Sequence, residues 1–75
     1  MAPATLGTRL RELRRGRGLT LAALAESAQV SVSYLNDIEH DRTVPSLGKL
    51  TAIAGALEVG VRDVLQGVEP YDRPS

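Results

Sequence analysis

Cysteine, phenylalanine and tryptophan are all missing from this 75-residue chain, which holds one Met, one His and two Tyr. Without thiols there is neither a disulfide framework nor a thiolate zinc site. A lone His does not make a structural metal centre, so no metal and no other cofactor is expected. Without large aromatics the core must be built from Leu, Ile, Val and Ala, a composition that suits a bundle of short helices. Long apolar runs are missing too. Nothing approaches the ~18 residues of a membrane span, and Met1-Ala2-Pro3-Ala4 lacks the charged start and apolar centre of a secretory signal, so no membrane partner and a cytoplasmic location are expected.

Charge of either sign is also not in excess, with 9 Lys+Arg against 9 Asp+Glu. The balance hides an uneven distribution. Arg9, Arg11, Arg14, Arg15 and Arg17 face Glu12 alone within the first 17 residues, and the rest of the chain is correspondingly acidic. A basic first helix suggests either a solvated face or a nucleic-acid contact.

What is present is helical periodicity. Leu6, Leu10, Leu13 and the stem of Arg17 share one face, Thr5 can cap their helix, and Gly16 and Gly18 supply a stop, which predicts a first helix over about 6–16. Thr20 caps a second over about 21–28, with Leu21, Leu24, Ala25 and Ala28 at helical spacing. Gln29 and Val30 intervene before Ser31 opens a third over about 32–39, with Leu35 and Ile38 on its inner side. The polar stretch from His40 to Pro45 reads as a loop. Ser46 then caps a fourth helix whose buried stripe is expected to be Leu47, Leu50, Ile53, Ala54 and Leu57. Gly60 precedes a short fifth that carries Val61, Val64 and Leu65 and ends at Gly67. No segment alternates apolar and polar residues as a strand would. The expected architecture is all-α, a five-helix domain over 6–67 between a flexible segment 1–5 and a tail or linker 68–75.

The segment Leu21 to Glu39 places two short helices around a three-to-four-residue turn, with the small Ala25 where they must touch. The chain here resembles the Cro/C1 (XRE) family of bacterial and phage repressors. The resemblance runs through Leu10-Arg11-Glu12-Leu13-Arg14, Gly18-Leu19-Thr20, Leu24-Ala25, Val32-Ser33-Tyr34-Leu35, Ile38-Glu39, Pro45-Ser46-Leu47, Ile53-Ala54 and Leu57. More narrowly, Ser31 to Leu35 together with Asp63 to Glu69 is similar to the N-terminal domain of DdrO-like DNA-damage-response repressors. The resemblance implies a compact lambda-repressor-like domain with a helix-turn-helix, a transcriptional regulator of bacterial type that associates with the nucleoid when bound to double-stranded DNA.

If Leu35 and Ile38 face the core, Ser33, Asn36, Asp37 and His40 point the other way, with Val32 at the N-terminal edge; these five are the candidate base readers. Asn suits adenine, Asp accepts from the cytosine amine, and Val can pack on a thymine methyl. Asp37 would be repelled by phosphates unless it meets that amine or a neighbouring Arg. Phosphate contacts are expected at the N-termini of the second, third and fourth helices, marked by Thr20 with Leu21, by Ser31 and by Ser46, and at the Tyr34 hydroxyl. The resemblance adds Arg42 as a basic residue against the DNA backbone. Arg14 and Glu39 border the core sides of their helices and are expected to form a structural ion pair, as matching positions do in several phage repressors. Where the family usually carries Gly, this chain has Gln29 and Asp41, and Gly60 replaces the usual Ser or Thr cap.

An enzyme is not expected, because there is no nucleophile elbow, no phosphate loop and little room for a pocket. The leading expectation is a repressor that binds a palindromic operator as a homodimer, because one short helix reads too few base pairs to select a site. An antitoxin-type autorepressor and a protein-interaction module on the same fold remain open alternatives. Leu57, Val59, Val61 and Val68 exceed what a five-helix core is expected to bury and are assigned to the dimer contact.

Overall fold

Four hydroxyl side chains start four helices in the computed structural model, which describes residues 4–68. Thr5 accepts from the Thr8 amide ahead of α1 (Leu6–Gly16), and Thr20 from the Ala23 amide ahead of α2 (Leu21–Ala28). Ser31 accepts from the Tyr34 amide ahead of α3 (Val32–Glu39), and Ser46 from the Lys49 amide ahead of α4 (Leu47–Ala56). Each bond satisfies an amide that has no partner inside its own helix. Gly60 has no side chain to offer before α5 (Val61–Leu65). Asp63 reaches back instead, its carboxylate accepting from the Gly60 amide at 3.1 Å.

The first four helices also end alike. A left-handed residue follows each one, namely Gly18, Gln29, Asp41 and Glu58, and the next amide returns to a carbonyl five residues earlier: Leu19 to Arg14, Val30 to Ala25, Arg42 to Asp37 and Val59 to Ala54. This is the Schellman termination, which glycine enters without strain. Three of the four residues here are not glycine, so the chain tolerates about 1–2 kcal/mol of strain at each.

Among the described residues no aromatic ring is fully buried in the core that the helices enclose. Leu10, Leu24, Leu35, Ile38, Ile53, Leu57, Val64 and Val68 are fully buried, with α2 packed on α3 and α4, α1 on α3 and α5, and α4 on α5. Three expectations about the core and its limits need correction. Leu57 and Val68, assigned above to a dimer contact, are 0% exposed, and Val59 and Val61 are half-buried against the same cluster, so the core takes up the supposed apolar surplus. Val68 does not begin a tail: it is fully buried in the core cluster and forms an isolated parallel bridge with Ala4. The division at residue 68 therefore falls inside the packed unit, as does the part of the presumed flexible start that holds Ala4 and Thr5. Residues 1–3 and 69–75 lie outside the described residues.

Leu47 is the third correction. It was placed in the buried stripe of α4 but is 71% exposed, because as the first residue of the helix it projects beyond the end of the core. Val44, 67% exposed, lies three residues before it on the other side of buried Pro45.

Candidate nucleic-acid interface

The approach of α2 to α3 is set by a small side chain and a sharp turn. Ala25 is 1% exposed in the core cluster, a small side chain on a helix that packs against α3. Gln29, at φ 60° and ψ 43°, reverses the chain where glycine would be easier, and Val30 packs beneath.

The far end of α3 is held twice by α1. Glu39, a buried charge at 3% exposure, takes a two-pronged contact from Arg14, with Nε to Oε2 at 2.8 Å and Nη2 to Oε1 at 3.0 Å. The same guanidinium donates to the Leu19 carbonyl at 2.9 Å, and Arg11 approaches Glu39 at 3.9 Å. The hydrogen bond to Glu39 raises the Arg14 pKa; burial opposes that rise and the attraction of the carboxylate adds to it. Two residues further on, the Asp41 carboxylate accepts from the Thr5 hydroxyl at 2.6 Å and from the Gly7 amide at 2.9 Å. Gly7 itself lies so close to α3 that a Cβ there would meet the Ile38 and Glu39 carbonyl oxygens at 2.5 and 2.6 Å. This second clasp is not legible from local periodicity. Its trace in the sequence is an aspartate at a left-handed position together with a glycine inside the first turn of α1.

With Leu35, Ile38 and Glu39 turned inward, α3 presents Val32, Ser33, Asn36, Asp37 and, just past its end, His40 on its other side. Val32 is 45% exposed. Neither the Ser33 hydroxyl nor the Asn36 amide bonds to another described residue, so both are free for an external partner. His40 differs: its Nδ1 is engaged with the Asn36 carbonyl at 2.9 Å, at the trailing end of the helix. Asp37 has found the neighbouring arginine that its position calls for, since its Oδ1 accepts from Arg42 Nε at 3.0 Å.

Beside this face, Gln29, Val30, Ser31, Tyr34, Ser46 and Lys49 line a groove open to solvent. It brings the N-termini of α3 and α4 together, and their unpaired amides and aligned dipoles favour an anion. Tyr34 is half-buried with its ring against the core. Thr20 and Leu21 start α2 outside the groove. Lys49 was missed by the sequence reading. The signal for it is electrostatic: a cation in the first turn of a helix opposes the dipole, so its favourable partner lies elsewhere.

Four of the five arginines between residues 9 and 17 are engaged by other groups of the chain. Arg14 and Arg11 face Glu39, Arg17 pairs with Glu58, and Arg9 donates to the Asp63 carbonyl at 3.0 Å. Arg15, which is exposed, makes no ion pair among the described residues. The stem of Arg17 leaves the apolar stripe for that surface pair, so the stripe of α1 closes with half-buried Leu13.

A family model described as a helix-turn-helix domain matches residues 5–66. The chain is 52% identical over 63 residues to the HTH-type transcriptional regulator DdrOP3 of Deinococcus deserti, covering 84% of this chain and 49% of that protein. It is 49% identical over 61 residues to the immunity repressor protein of Bacillus phage phi105, covering 81% of this chain and 42% of that protein. It thus spans about half the length of these relatives or less. Among solved structures, the P22 c2 repressor in complex with a synthetic operator is similar, with a TM-score of 0.79 and 28% identity over 85% of this chain and 97% of that one.

Proposed function

The chain belongs to the helix-turn-helix domain family, of the Cro/C1 (XRE) type, and on that premise we propose that it is the DNA-binding unit of a transcriptional repressor. The observation that carries the reading is the outward face of α3, where the Ser33 and Asn36 side chains have no hydrogen-bond partner among the described residues, on a helix whose other side is locked to α1 and α2. In the proposed mode α3 lies in the major groove. Val32, Ser33, Asn36 and Asp37 meet base edges, and His40 sits at the rim of the contact. Phosphates are held by the start of α2 at Thr20 and Leu21, by the groove of Ser31, Tyr34, Ser46 and Lys49, and by Arg42. Two copies bind a palindromic operator with half-sites about 34 Å apart, which sets both α3 helices on one side of the duplex. Repression, rather than regulation in general, draws support from the phage immunity repressor among the relatives.

The test is Asn36→Ala. It is expected to weaken binding to a selected operator by about 1–3 kcal/mol and relax preference at one base pair, with non-specific binding nearly unchanged. Operator affinity equal to wild type in a fluorescence titration would remove α3 from the groove. A protein-interaction module on the same fold predicts that outcome, together with no preference for any duplex at low salt.

A further inference from the structure

Asp37 and Arg42 are tied to each other by more than a surface ion pair. The Arg42 amide donates to the Asp37 carbonyl at 2.8 Å, closing the Schellman turn at the end of α3, while Arg42 Nε donates to Asp37 Oδ1 at 3.0 Å. Between them Asp41 holds φ 59°, and its carboxylate is anchored on Thr5 and Gly7 of the first turn of α1. The backbone that carries Arg42 is therefore fixed relative to the helix that carries Asp37, and the guanidinium reaches back to the Asp37 carboxylate.

Stability does not explain this arrangement. The two side chains are 56% and 43% exposed, and ion pairs so open to water contribute little. What the pair changes is what the face presents. A bare carboxylate on a helix entering a DNA groove would be repelled by the phosphates on both sides. Held by Arg42 Nε, the carboxylate is neutralised and oriented, its Oδ2 remains without a partner among the described residues, and the two terminal nitrogens of Arg42 keep their donors. An acceptor beside a set of donors matches the major-groove edge of a cytosine–guanine pair, where the cytosine amine donates and guanine O6 and N7 accept.

We infer that Asp37 and Arg42 form one composite reader of a cytosine–guanine base pair, with Asp37 accepting from the cytosine amine and Arg42 acting as the positioning residue that makes this possible. The inference rests on α3 occupying the major groove, and it gives Arg42 a role in sequence selection beyond holding a phosphate. A carboxylate without its arginine is a repulsive charge; an arginine without the carboxylate is a cation that favours any duplex.

The experiment is selection from a pool of duplexes with a randomised centre, using wild type, Asp37→Ala, Arg42→Ala and the double variant, with thermal melts to verify folding. Both side chains are exposed, so all four proteins are expected to melt within a few degrees of each other. Wild type is expected to enrich a cytosine–guanine pair at one position of each half-site. Asp37→Ala and Arg42→Ala should each reduce that preference about tenfold at the same position, leave the Asn36-dependent position intact, and show no further loss when combined. Two results overturn the composite reader: Arg42→Ala weakening all duplexes alike with the preference preserved, or Asp37→Ala leaving it unchanged. Failure of wild type to enrich any sequence would instead overturn the DNA reading, and this inference with it.

Discussion

Removing Arg14 from beneath Glu39 is the perturbation that most directly probes what orients α3. Arg14→Met keeps the aliphatic bulk but leaves a carboxylate that is 2% exposed with Arg11 at 3.9 Å as its nearest cation. Stranding one partner of a buried pair costs about 3–5 kcal/mol, and the partial exposure of Arg14 together with the residual pull of Arg11 argues for the lower end, about 3 kcal/mol. Domains of this size have a total stability of only about 3–10 kcal/mol, so the loss is a large fraction of the whole. At about 4–8 °C per kcal/mol the melting temperature should fall by about 12–24 °C. Glu39→Met should cost somewhat less, because Arg14 keeps the Leu19 carbonyl and a path to water. In the double variant the stranded charge is gone. What remains is the unpaired Leu19 carbonyl, worth about 1–3 kcal/mol, so the combined loss should lie well below the sum of the single ones. Urea unfolding followed by far-ultraviolet circular dichroism gives all three values. If the double loss equals the sum within about 0.5 kcal/mol, the pair is not coupled and Arg14 does not orient α3.

Gly7→Ala should destabilise the domain by about 1–3 kcal/mol, because the new methyl meets two α3 carbonyl oxygens that cannot turn aside; a thermal melt equal to wild type would show that α1 can withdraw freely. Gln29→Gly should stabilise by about 0.5–1 kcal/mol through relief of the left-handed strain, and a lower melting temperature would mean that the Gln29 side chain contributes more in its groove than its backbone costs. Sedimentation with a palindromic duplex is expected to show two chains per duplex under the proposed mode of binding, whereas a stable one-to-one complex with a one-sided footprint would refute it.

The helices were legible because their signals are local. Thr5, Thr20, Ser31 and Ser46 each act on an amide three residues away, and the apolar stripes repeat within one or two turns, so boundaries and inner faces follow from the sequence. The left-handed Gln29 was legible for the same reason. Contacts across the chain were a different matter. That Asp41 clasps Thr5 and Gly7, 36 and 34 residues away, or that Val68 fills the core opposite Ala4, leaves no periodic trace. The assignment of Leu57 and Val68 to a dimer face failed because counting apolar residues presumes a fixed core volume, whereas both side chains are fully buried in the core cluster. The candidate site divides along the same line. Which α3 residues face outward follows from 100° per residue, but the engagement of Asp37 by Arg42, of His40 by a backbone carbonyl and of the α1 arginines by acids elsewhere depends on where the chain returns.

The bridge between Ala4 and Val68 brings the first and last stretches of the described domain side by side, so that its path nearly closes on itself. Joining those positions by a short covalent linker would change little in the folded molecule, since they already touch. In the unfolded chain it would confine a loop of about 65 residues, and the entropy so removed corresponds to about 4 kcal/mol. That is of the same order as the stability expected for the whole domain. A cyclised form, or a permuted one opened in an exposed turn, would thus carry the same recognition surface on a much more heat-resistant body.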